Sequence, residues 1–410
     1  MIPPPGSGTA KGSSTGIAQI SYACLGSALG QSGLFIALPS LPAMASDFQV
    51  SASTAEESIT AYALGYGFSQ LVWGPLADRF GRRPIALCGV TLFTLASLGL
   101  ALVPGFGAFL LLRLLQGVAA GCGTSVSRAC LRDVFSQRSL AQAMSVVAIS
   151  YALALGIAPF LGGWIASVAS WRADFVLLTV LGSLALAYLV RELGETLPPV
   201  TSRATTLRRE LAVVLRDYGR LLRDRRFLLP ALIVMLATGV VAGYAAASPF
   251  DFEHSFGYSP AQFGNLSLSL SAAYLVGSLL VRRTVVRLGQ QRLLWIGLGA
   301  ITAGALVMLA LGLAGRFDPL SLLGPMLVVV AGGGIVVPIG LALPMQAFPA
   351  AAGQASALTG FLQQEGTAAL VALVVWLPDT SQVPLALSLL ALALMLAALV
   401  RAYTRVDISA

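Results

Sequence analysis

Residues 74–84 read Gly74-Pro75-Leu76-Ala77-Asp78-Arg79-Phe80-Gly81-Arg82-Arg83-Pro84 and lie between two long apolar runs. Gly74 and Gly81 permit a tight turn, because glycine adopts backbone conformations that other residues avoid. The Asp78 carboxylate can accept hydrogen bonds at a helix N-terminus, where the helix dipole favours negative charge. The start of a later apolar run, near Ala351, offers such a terminus. The arginines favour the cytoplasmic side of a membrane, so we expect a charged loop between two membrane-spanning helices.

The composition of the chain supports a membrane protein. Of its 410 residues, 57% are hydrophobic and 10% are charged, whereas soluble globular proteins carry roughly 25% charged residues. So few charges cannot cover a water-facing surface of this size, which excludes a large soluble enzyme and a disordered chain. The net charge of +8 could indicate a nucleic-acid partner. The arginines instead form short clusters between apolar runs, so we expect no nucleic-acid partner.

Apolar runs long enough to cross a bilayer recur along the chain. A membrane helix needs about 20 apolar residues, and these runs are continuous rather than alternating, which excludes barrel strands. The runs are 17–44, 54–77, 84–104, 107–131, 139–169, 173–190, 227–250, 260–281, 293–314, 320–346, 351–377 and 383–402. We therefore predict an all-α membrane protein with twelve transmembrane helices in two six-helix bundles.

The polar stretches between the runs predict the domain organisation. Residues 1–16 are rich in Pro, Gly, Ser and Thr and are expected to form a disordered tail. The N-terminal bundle spans 17–190 and the C-terminal bundle spans 227–402, with a cytoplasmic tail at 403–410. Residues 191–226 form an amphipathic cytoplasmic linker, in which four leucines recur near helical spacing: Leu207, Leu211, Leu215 and Leu222.

The placement of arginine predicts the orientation. Connections on one side of the membrane hold nine arginines in 191–226 and others at positions 79, 82, 83, 132, 138, 282, 283, 287, 292, 401 and 405. The opposite connections hold Arg172 and Arg316 with eight acidic residues. Because arginine-rich loops remain in the cytoplasm, we expect both termini there.

A faint internal repeat relates the two halves. The loop at Arg79–Arg83 follows the second run, and a similar loop at Arg287–Arg292 follows the eighth. Gly81 and Gly289 in these loops are 208 residues apart, close to half of the chain. Transporters built from duplicated halves bind substrate at the interface of the repeats, near the bilayer midplane.

The loop at 74–84 resembles the signature loop of the major facilitator superfamily almost position for position. The resemblance implies the pseudosymmetric two-bundle fold of that family, in which this loop latches the halves in the outward-facing state. Arg113-Leu114-Leu115-Gln116-Gly117 resembles the family's proton-coupling motif. Ala158-Pro159-Phe160-Leu161-Gly162-Gly163 resembles its antiporter motif, although Ala158 stands where many members have Gly.

Further stretches are similar to the Bcr/CflA branch of drug:proton antiporters. They are 38–44, 247–250 and 256–264. The resemblance implies efflux of small, often aromatic compounds, coupled to proton entry, by a protein in the inner membrane of a bacterium. The branch usually carries an Asp in the first helix, a few residues before the Leu-Pro pair, whereas Gly33-Leu34-Phe35-Ile36-Ala37 contains no acid. The proton acceptor has therefore moved, or coupling is lost.

Two ionisable residues inside apolar runs are the candidates for proton coupling, Glu365 and Arg113. Charges at membrane depth are costly and usually functional. Glu365 is hypothesised to be the relocated proton site or to pair with a cationic substrate; the alternative is a neutral Glu hydrogen-bonded between helices. A guanidinium stays protonated, so Arg113 could bias Glu365 or a substrate acid, or could brace backbone carbonyls.

Aromatic and amide residues in the runs are the candidates for substrate binding, since aromatic faces bind flat or cationic compounds. They are Phe35, Tyr62, Tyr66, Gln116, Tyr151, Tyr244, Tyr274, Phe361 and Gln364. Each of the aromatic residues could equally serve helix packing. A second group is expected to form an ion network that gates the cytoplasmic end: Asp78, Arg79, Arg82, Arg83, Arg128, Arg132 and Asp133.

The predicted function is proton-coupled efflux of small organic compounds by alternating access. We expect a monomer that contacts membrane lipids and uses no cofactor or metal, because the sequence has no nucleotide-binding loop and a single His. The alternative within transporters is a dedicated exporter or importer of one metabolite or siderophore. A membrane-embedded enzyme is disfavoured, since no nucleophile–base pair is evident. A sensor or scaffold would be expected to carry an appended soluble domain.

Overall fold

The computed structural model describes residues 11–135, 137–197, 207–374 and 382–408, and all regular elements in these ranges are helical. Their α-helices are α1 (Lys11–Phe35), α2 (Leu41–Phe48), α3 (Ala52–Phe80), α4 (Arg82–Leu102), α5 (Phe106–Val134), α6 (Gln137–Val168), α7 (Arg172–Glu192), α8 (Leu207–Arg223), α9 (Arg225–Phe250), α10 (Pro260–Leu288), α11 (Gln290–Leu313), α12 (Pro319–Ala347), α13 (Ala352–Val374) and α14 (Val383–Ile408).

Two terminal predictions differ from the structure. Helix α1 begins at Lys11, inside the predicted disordered tail 1–16, of which residues 1–10 lie outside the described ranges. Helix α14 continues to Ile408 and includes most of the predicted tail 403–410. Once an apolar helix exists, each added residue gains one backbone hydrogen bond, so these helices extend past their apolar runs.

The first predicted run, 17–44, is interrupted. Helix α1 ends at Phe35, a short 3-10 turn spans Leu38–Ser40, and α2 begins at Leu41. Pro39 and Pro42 each lie in the first turn of the element that follows. Proline lacks the N–H that a helix interior requires, but a first turn does not need it. The Leu-Pro repeat therefore breaks the first span near its end.

Ten helical segments in the described ranges are long and apolar enough to cross a membrane, which confirms a multi-span helical protein. The segments that fall short of this among the twelve predicted spans are α3 and α13. Both carry polar side chains in their middle, such as Gln70 and Glu365, and they pack against each other. Helices that pack on each other do not need an entirely apolar surface to lie in a membrane. The membrane crossing of α3 and α13 stays a prediction, since neither is among the ten segments.

Two large apolar clusters form the interior. One is built mainly from α1–α7, here called the N lobe, and the other from α9–α12 and α14, which with α13 are called the C lobe. The lobes meet where α3 packs on α13 and where α6 packs on α10. We call the end that holds residues 79–83 the arginine end, and the end that holds Val168 and Pro260 the opposite end.

At the opposite end, α6 and α10 approach so closely that no side chain fits between them. A Cβ on Gly163 would collide with the backbone carbonyl of Pro260. Trp164, the next residue, donates a hydrogen bond of 3.1 Å to the Oδ1 atom of Asn265. Two residues further along α10, Ser267 is 7% exposed. The lobes are therefore in contact at this end, and Gly163 makes the contact possible.

Gly163→Val is expected to hold the opposite end open, because the valine side chain cannot be accommodated against Pro260. A Ser267→Cys reporter in a chain without its native cysteines should then react faster with a membrane-impermeant maleimide. Gly324→Val is the matched control, since a Cβ at Gly324 has nothing within 4 Å. Unchanged labelling in Gly163→Val would show that the contact is not required for closure.

Candidate functional site

A small polar cavity lies between the lobes. Its volume is about 40 Å³, whereas drug-sized ligands occupy pockets of roughly 300–1,000 Å³. It is lined by residues of α1, α3, α5, α6 and α13, namely Ala23, Ser27, Gln31, Tyr66, Gln70, Thr124, Ser127, Arg128, Val147, Tyr151, Gly360, Gln363 and Gln364. The lobes must separate to admit a substrate, so this structure is a closed form.

Three of the substrate-binding candidates line the cavity: Tyr66, Tyr151 and Gln364. The Tyr66 hydroxyl lies 2.6 Å from that of Thr124, which fixes the ring between α3 and α5. The sequence analysis missed the other amides of the lining, Gln31, Gln70 and Gln363. The sequence nevertheless indicates them, because each is an amide within an apolar run. An amide inside a membrane helix is costly unless it has a partner or a function.

The remaining substrate candidates do not line the cavity. Phe35 and Tyr244 are buried in the two apolar clusters, and Tyr274 packs against the cluster of the C lobe. The Tyr62 hydroxyl donates to the Gly30 carbonyl at 2.7 Å. The ring of Phe361 lies edge-on to that of Phe68, with centroids 5.1 Å apart. In the closed form these side chains pack helices together.

Arg113 is 1% exposed and braces the N lobe. It donates to the carbonyls of Gly33 at 2.6 Å and Ser58 at 3.3 Å, and to Gln116 Oε1 at 2.8 Å. Its guanidinium lies 4.6 Å from the centroid of the Tyr62 ring. The arrangement ties α1, α3 and α5 together, and it places Arg113 outside the cavity lining.

Gln116 extends this brace to a fourth helix. Its Nε2 atom donates to the Ser97 hydroxyl of α4 at 2.9 Å, and the residue is fully buried. Both atoms of the Gln116 side-chain amide are therefore hydrogen-bonded: the oxygen accepts from Arg113 and the nitrogen donates to Ser97. Gln116 does not belong to the lining of the cavity described above, although the sequence analysis placed it with the substrate-binding candidates.

Glu365 faces the other lobe. Its carboxylate lies against Gly67 of α3, where a Cβ would collide with it. The Oε1 atom is buried and has no hydrogen-bond partner among the described residues. The adjacent Gln364 lines the cavity. The half-buried carboxylate thus lies at the interface of the lobes, next in sequence to a residue of the cavity lining, and it is not paired with Arg113.

The gating candidates of the loop form an ion network at the arginine end. Arg82 contacts Asp78 at 2.6 Å and Asp133 at 3.0 Å, and it links the ends of α3 and α5. Asp78 is thus paired inside its own loop, not with the start of α13 as the sequence analysis suggested. Arg83 donates to the Val190 carbonyl at 2.8 Å, and Arg79 stacks on Phe80.

Glu195, which the sequence analysis missed, anchors this loop. Its carboxylate accepts hydrogen bonds from the backbone N–H groups of Arg82 at 2.9 Å and Arg83 at 3.2 Å. Burial opposes ionisation of Glu195, but these donors and those of Thr196 and Leu197 outweigh it and hold its pKa below the usual range. The start of α4 supplies the donors, as helix N-termini do for anions.

Two arginines of α5 face α13 at the arginine end. Arg128 donates to the Ser356 hydroxyl at 3.0 Å. One turn further along, the Arg132 guanidinium lies against Gly353, where a Cβ would collide with it. These contacts join the N lobe to the C lobe. The closed form is therefore closed at both ends.

Helix α8 also contacts both lobes at the arginine end. The Tyr218 hydroxyl lies 3.5 Å from the Leu71 carbonyl of α3, and Gln354 of α13 donates to Asp217 at 3.1 Å. Among residues 213–223 of α8, Tyr218 and Leu221 are buried, whereas Leu215 and Leu222 are exposed. The leucine spacing therefore predicted an amphipathic helix but not the face that packs on the protein.

Asp174, another residue that the sequence analysis left unassigned, is buried near the opposite end. It accepts a hydrogen bond of 2.7 Å from Ser40, and it is 0% exposed. Asp174 lies in the first turn of α7. An acid at this place is common in helices, so the sequence alone did not indicate that Asp174 is buried. Within the described ranges, no group of three or more His, Cys, Asp or Glu side chains could hold a metal ion.

Comparison with known proteins agrees with this architecture. A profile described as Major Facilitator Superfamily matches residues 23–372. The chain is 30% identical to a Bicyclomycin resistance protein homolog of Haemophilus influenzae, over 65% of this chain and 66% of that protein. It is 29% identical to Multidrug resistance protein D of Escherichia coli, over 87% of this chain and 88% of that protein.

A solved structure shows the same fold. The crystal structure of a D-xylose-proton symporter superposes with a TM-score of 0.70 at 16% identity, covering 93% of this chain and 97% of that one. At this identity the likeness concerns the fold alone. The profile match spans most of the chain, and the relatives agree with the Bcr/CflA resemblance of its motifs. The protein therefore belongs to the major facilitator superfamily.

Proposed function

We propose that the protein exports small organic compounds in exchange for protons, by alternating access of a central cavity. The observation that carries the proposal is the polar cavity between two lobes that touch at both ends. Resistance is in the names of both relatives, one to bicyclomycin and one to multiple drugs. These names favour drug efflux over a dedicated carrier of one metabolite or siderophore.

Glu365 is the proposed proton-binding residue. It replaces the acid that the first helix lacks, because it presents a carboxylate to the interface beside the cavity. The buried Oε1 atom of this carboxylate becomes accessible to water when the lobes separate. Its protonation removes a charge that would be costly in the closed form. Proton binding and closure are thereby linked, as antiport requires.

The ion network at the arginine end is proposed as the gate. Arg82, Asp78 and Asp133 hold the N-lobe side together, and Arg128 and Arg132 connect it to α13. The arginine-rich end is assigned to the cytoplasm, which places both termini there. Helix α8 then lies at the inner surface between the lobes. The protein is proposed to act as a monomer, since the cavity lies within one chain.

A transport assay in inside-out vesicles tests the function and the orientation together. A protease added outside should remove a tag from the C-terminus if that terminus is cytoplasmic. The same vesicles, energised by respiration, should accumulate one or more members of a fluorescent aromatic panel with positive, neutral and negative charge. An uncoupler should release the compound. Accumulation that does not depend on the proton gradient would contradict antiport.

The relatives also decide between a transporter and a membrane-embedded enzyme. Because the family and the named relatives are transporters, the chain is a transporter and not an enzyme. No cofactor takes part in the proposed cycle. The energy comes from the proton gradient, and the chain's own side chains bind the proton, the substrate and the partner lobe.

A further inference from the structure

The charge of the cavity lining indicates which compounds the protein carries, and this inference rests on the proposed function. Arg128 is the single charged residue among the side chains that line the cavity in the described ranges. The other polar members are amides and hydroxyls. A site for cationic compounds would be expected to present a carboxylate as counter-charge, whereas this lining presents a guanidinium.

The hydrogen bond from Arg128 to Ser356 uses only part of the donor capacity of the guanidinium. A guanidinium has five N–H donors in a fixed fork, and the hydrogen bond recorded for Arg128 in the described ranges is the one to Ser356. That bond uses Nη1 and leaves Nη2 and Nε. Arg128 keeps part of its surface accessible although it lies between the lobes, because it borders the cavity.

No carboxylate of the described residues neutralises Arg128. Its contact on α13 is Ser356, and Glu365 lies nine residues further along the same helix, or about 13 Å along the axis. Asp133, the nearest acid on its own helix, pairs with Arg82. A cation in a low-dielectric site without a counter-charge is costly unless an anion joins it.

A second donor reaches the same cavity. Gln364 lines it and is 8% exposed, and its Nε2 atom is buried without a partner among the described residues. A buried donor of this kind is costly until an acceptor arrives. Tyr66 and Tyr151 supply aromatic rings to the lining. The cavity therefore combines a guanidinium, a free amide and two rings.

We propose that the protein's substrates are organic anions, above all aromatic carboxylates, whose acid group binds Arg128. A carboxylate accepts two parallel hydrogen bonds from one guanidinium, which adds geometric specificity to the charge. The ring of the substrate packs between Tyr66 and Tyr151. The substrate thus supplies the counter-charge that the lining lacks, and Glu365 remains free for the proton.

Binding to the purified full-length protein tests this with three probes of one shape: 2-naphthoate, 2-naphthamide and (2-naphthylmethyl)trimethylammonium. We expect the carboxylate to bind about tenfold or more tightly than the amide, and the cation most weakly. Arg128→Gln should remove the preference for the carboxylate, and Arg128→Lys should retain part of it. Arg216→Gln, at an exposed arginine of α8, is the matched control.

Ser356→Ala separates binding from lobe contact. It deletes the interlobe hydrogen bond but leaves the guanidinium, so the preference for 2-naphthoate should persist. Equal binding of the three probes, no binding of 2-naphthoate at millimolar concentration, or an unchanged preference in folded Arg128→Gln would each overturn the proposal. Folding is checked by size-exclusion chromatography; if Arg128→Gln aggregates, Arg128→Lys and the wild-type selectivity decide. These binding results do not depend on proton coupling, which the vesicle assay tests.

Discussion

Glu365→Gln is expected to reduce proton-driven export to the level of empty vesicles while the protein stays folded. Glutamine keeps the size and the hydrogen-bonding capacity of the side chain but cannot bind or release a proton. The carboxylate lies at the lobe interface against Gly67, and its Oε1 atom has no partner among the described residues. Removing the charge therefore costs no ion pair, and closure of the lobes should be as easy or easier.

Two measurements distinguish lost coupling from lost binding. Substrate addition to the wild-type protein in weakly buffered detergent should change the pH reported by an indicator dye, and Glu365→Gln should show no change. Probe binding should persist in the variant. Glu57→Gln makes the same replacement at an exposed position at the start of α3 and should behave as wild type. Normal proton-coupled export by Glu365→Gln would exclude Glu365 as the proton site.

The fold was predictable because its signals are local. Continuous apolar runs of about 20 residues can be satisfied only by membrane helices, and the loop at 74–84 carries its own turn and charges. The interruption at Leu38–Ser40 was not foreseen, although Pro39 and Pro42 signal it. Hydropathy averages over such a break, since the residues on both sides of it are apolar.

The candidate site was predictable only in part, because helical periodicity does not tell which lobe a polar face meets. Glu365 was found by its charge within an apolar run. The amides Gln31, Gln70 and Gln363 were overlooked because an amide carries no charge, and the prediction favoured aromatic residues. Arg128 was assigned to the gate since it lies one turn from Arg132, yet it also reaches the cavity.

Arg113→Met is expected to destabilise the protein strongly, by at least about 2 kcal/mol. The methionine fills much of the space but leaves three acceptors without a donor: the carbonyls of Gly33 and Ser58, and Gln116 Oε1. It also removes the cation from the face of Tyr62. Arg113→Lys should recover only part of the loss, because one ammonium group cannot reproduce the planar fork.

Denaturant unfolding in detergent measures this effect, and transport measured on the folded fraction separates bracing from coupling. Gln116→Leu is the matched comparison, since it removes one of the three acceptors together with the bond to Ser97, and it should destabilise less. If Arg113→Met is as stable as wild type but transports nothing, Arg113 takes part in proton coupling, as the motif resemblance implies. If it is unstable but its folded fraction still exports, the arginine acts on transport only by holding α1, α3 and α5 in register.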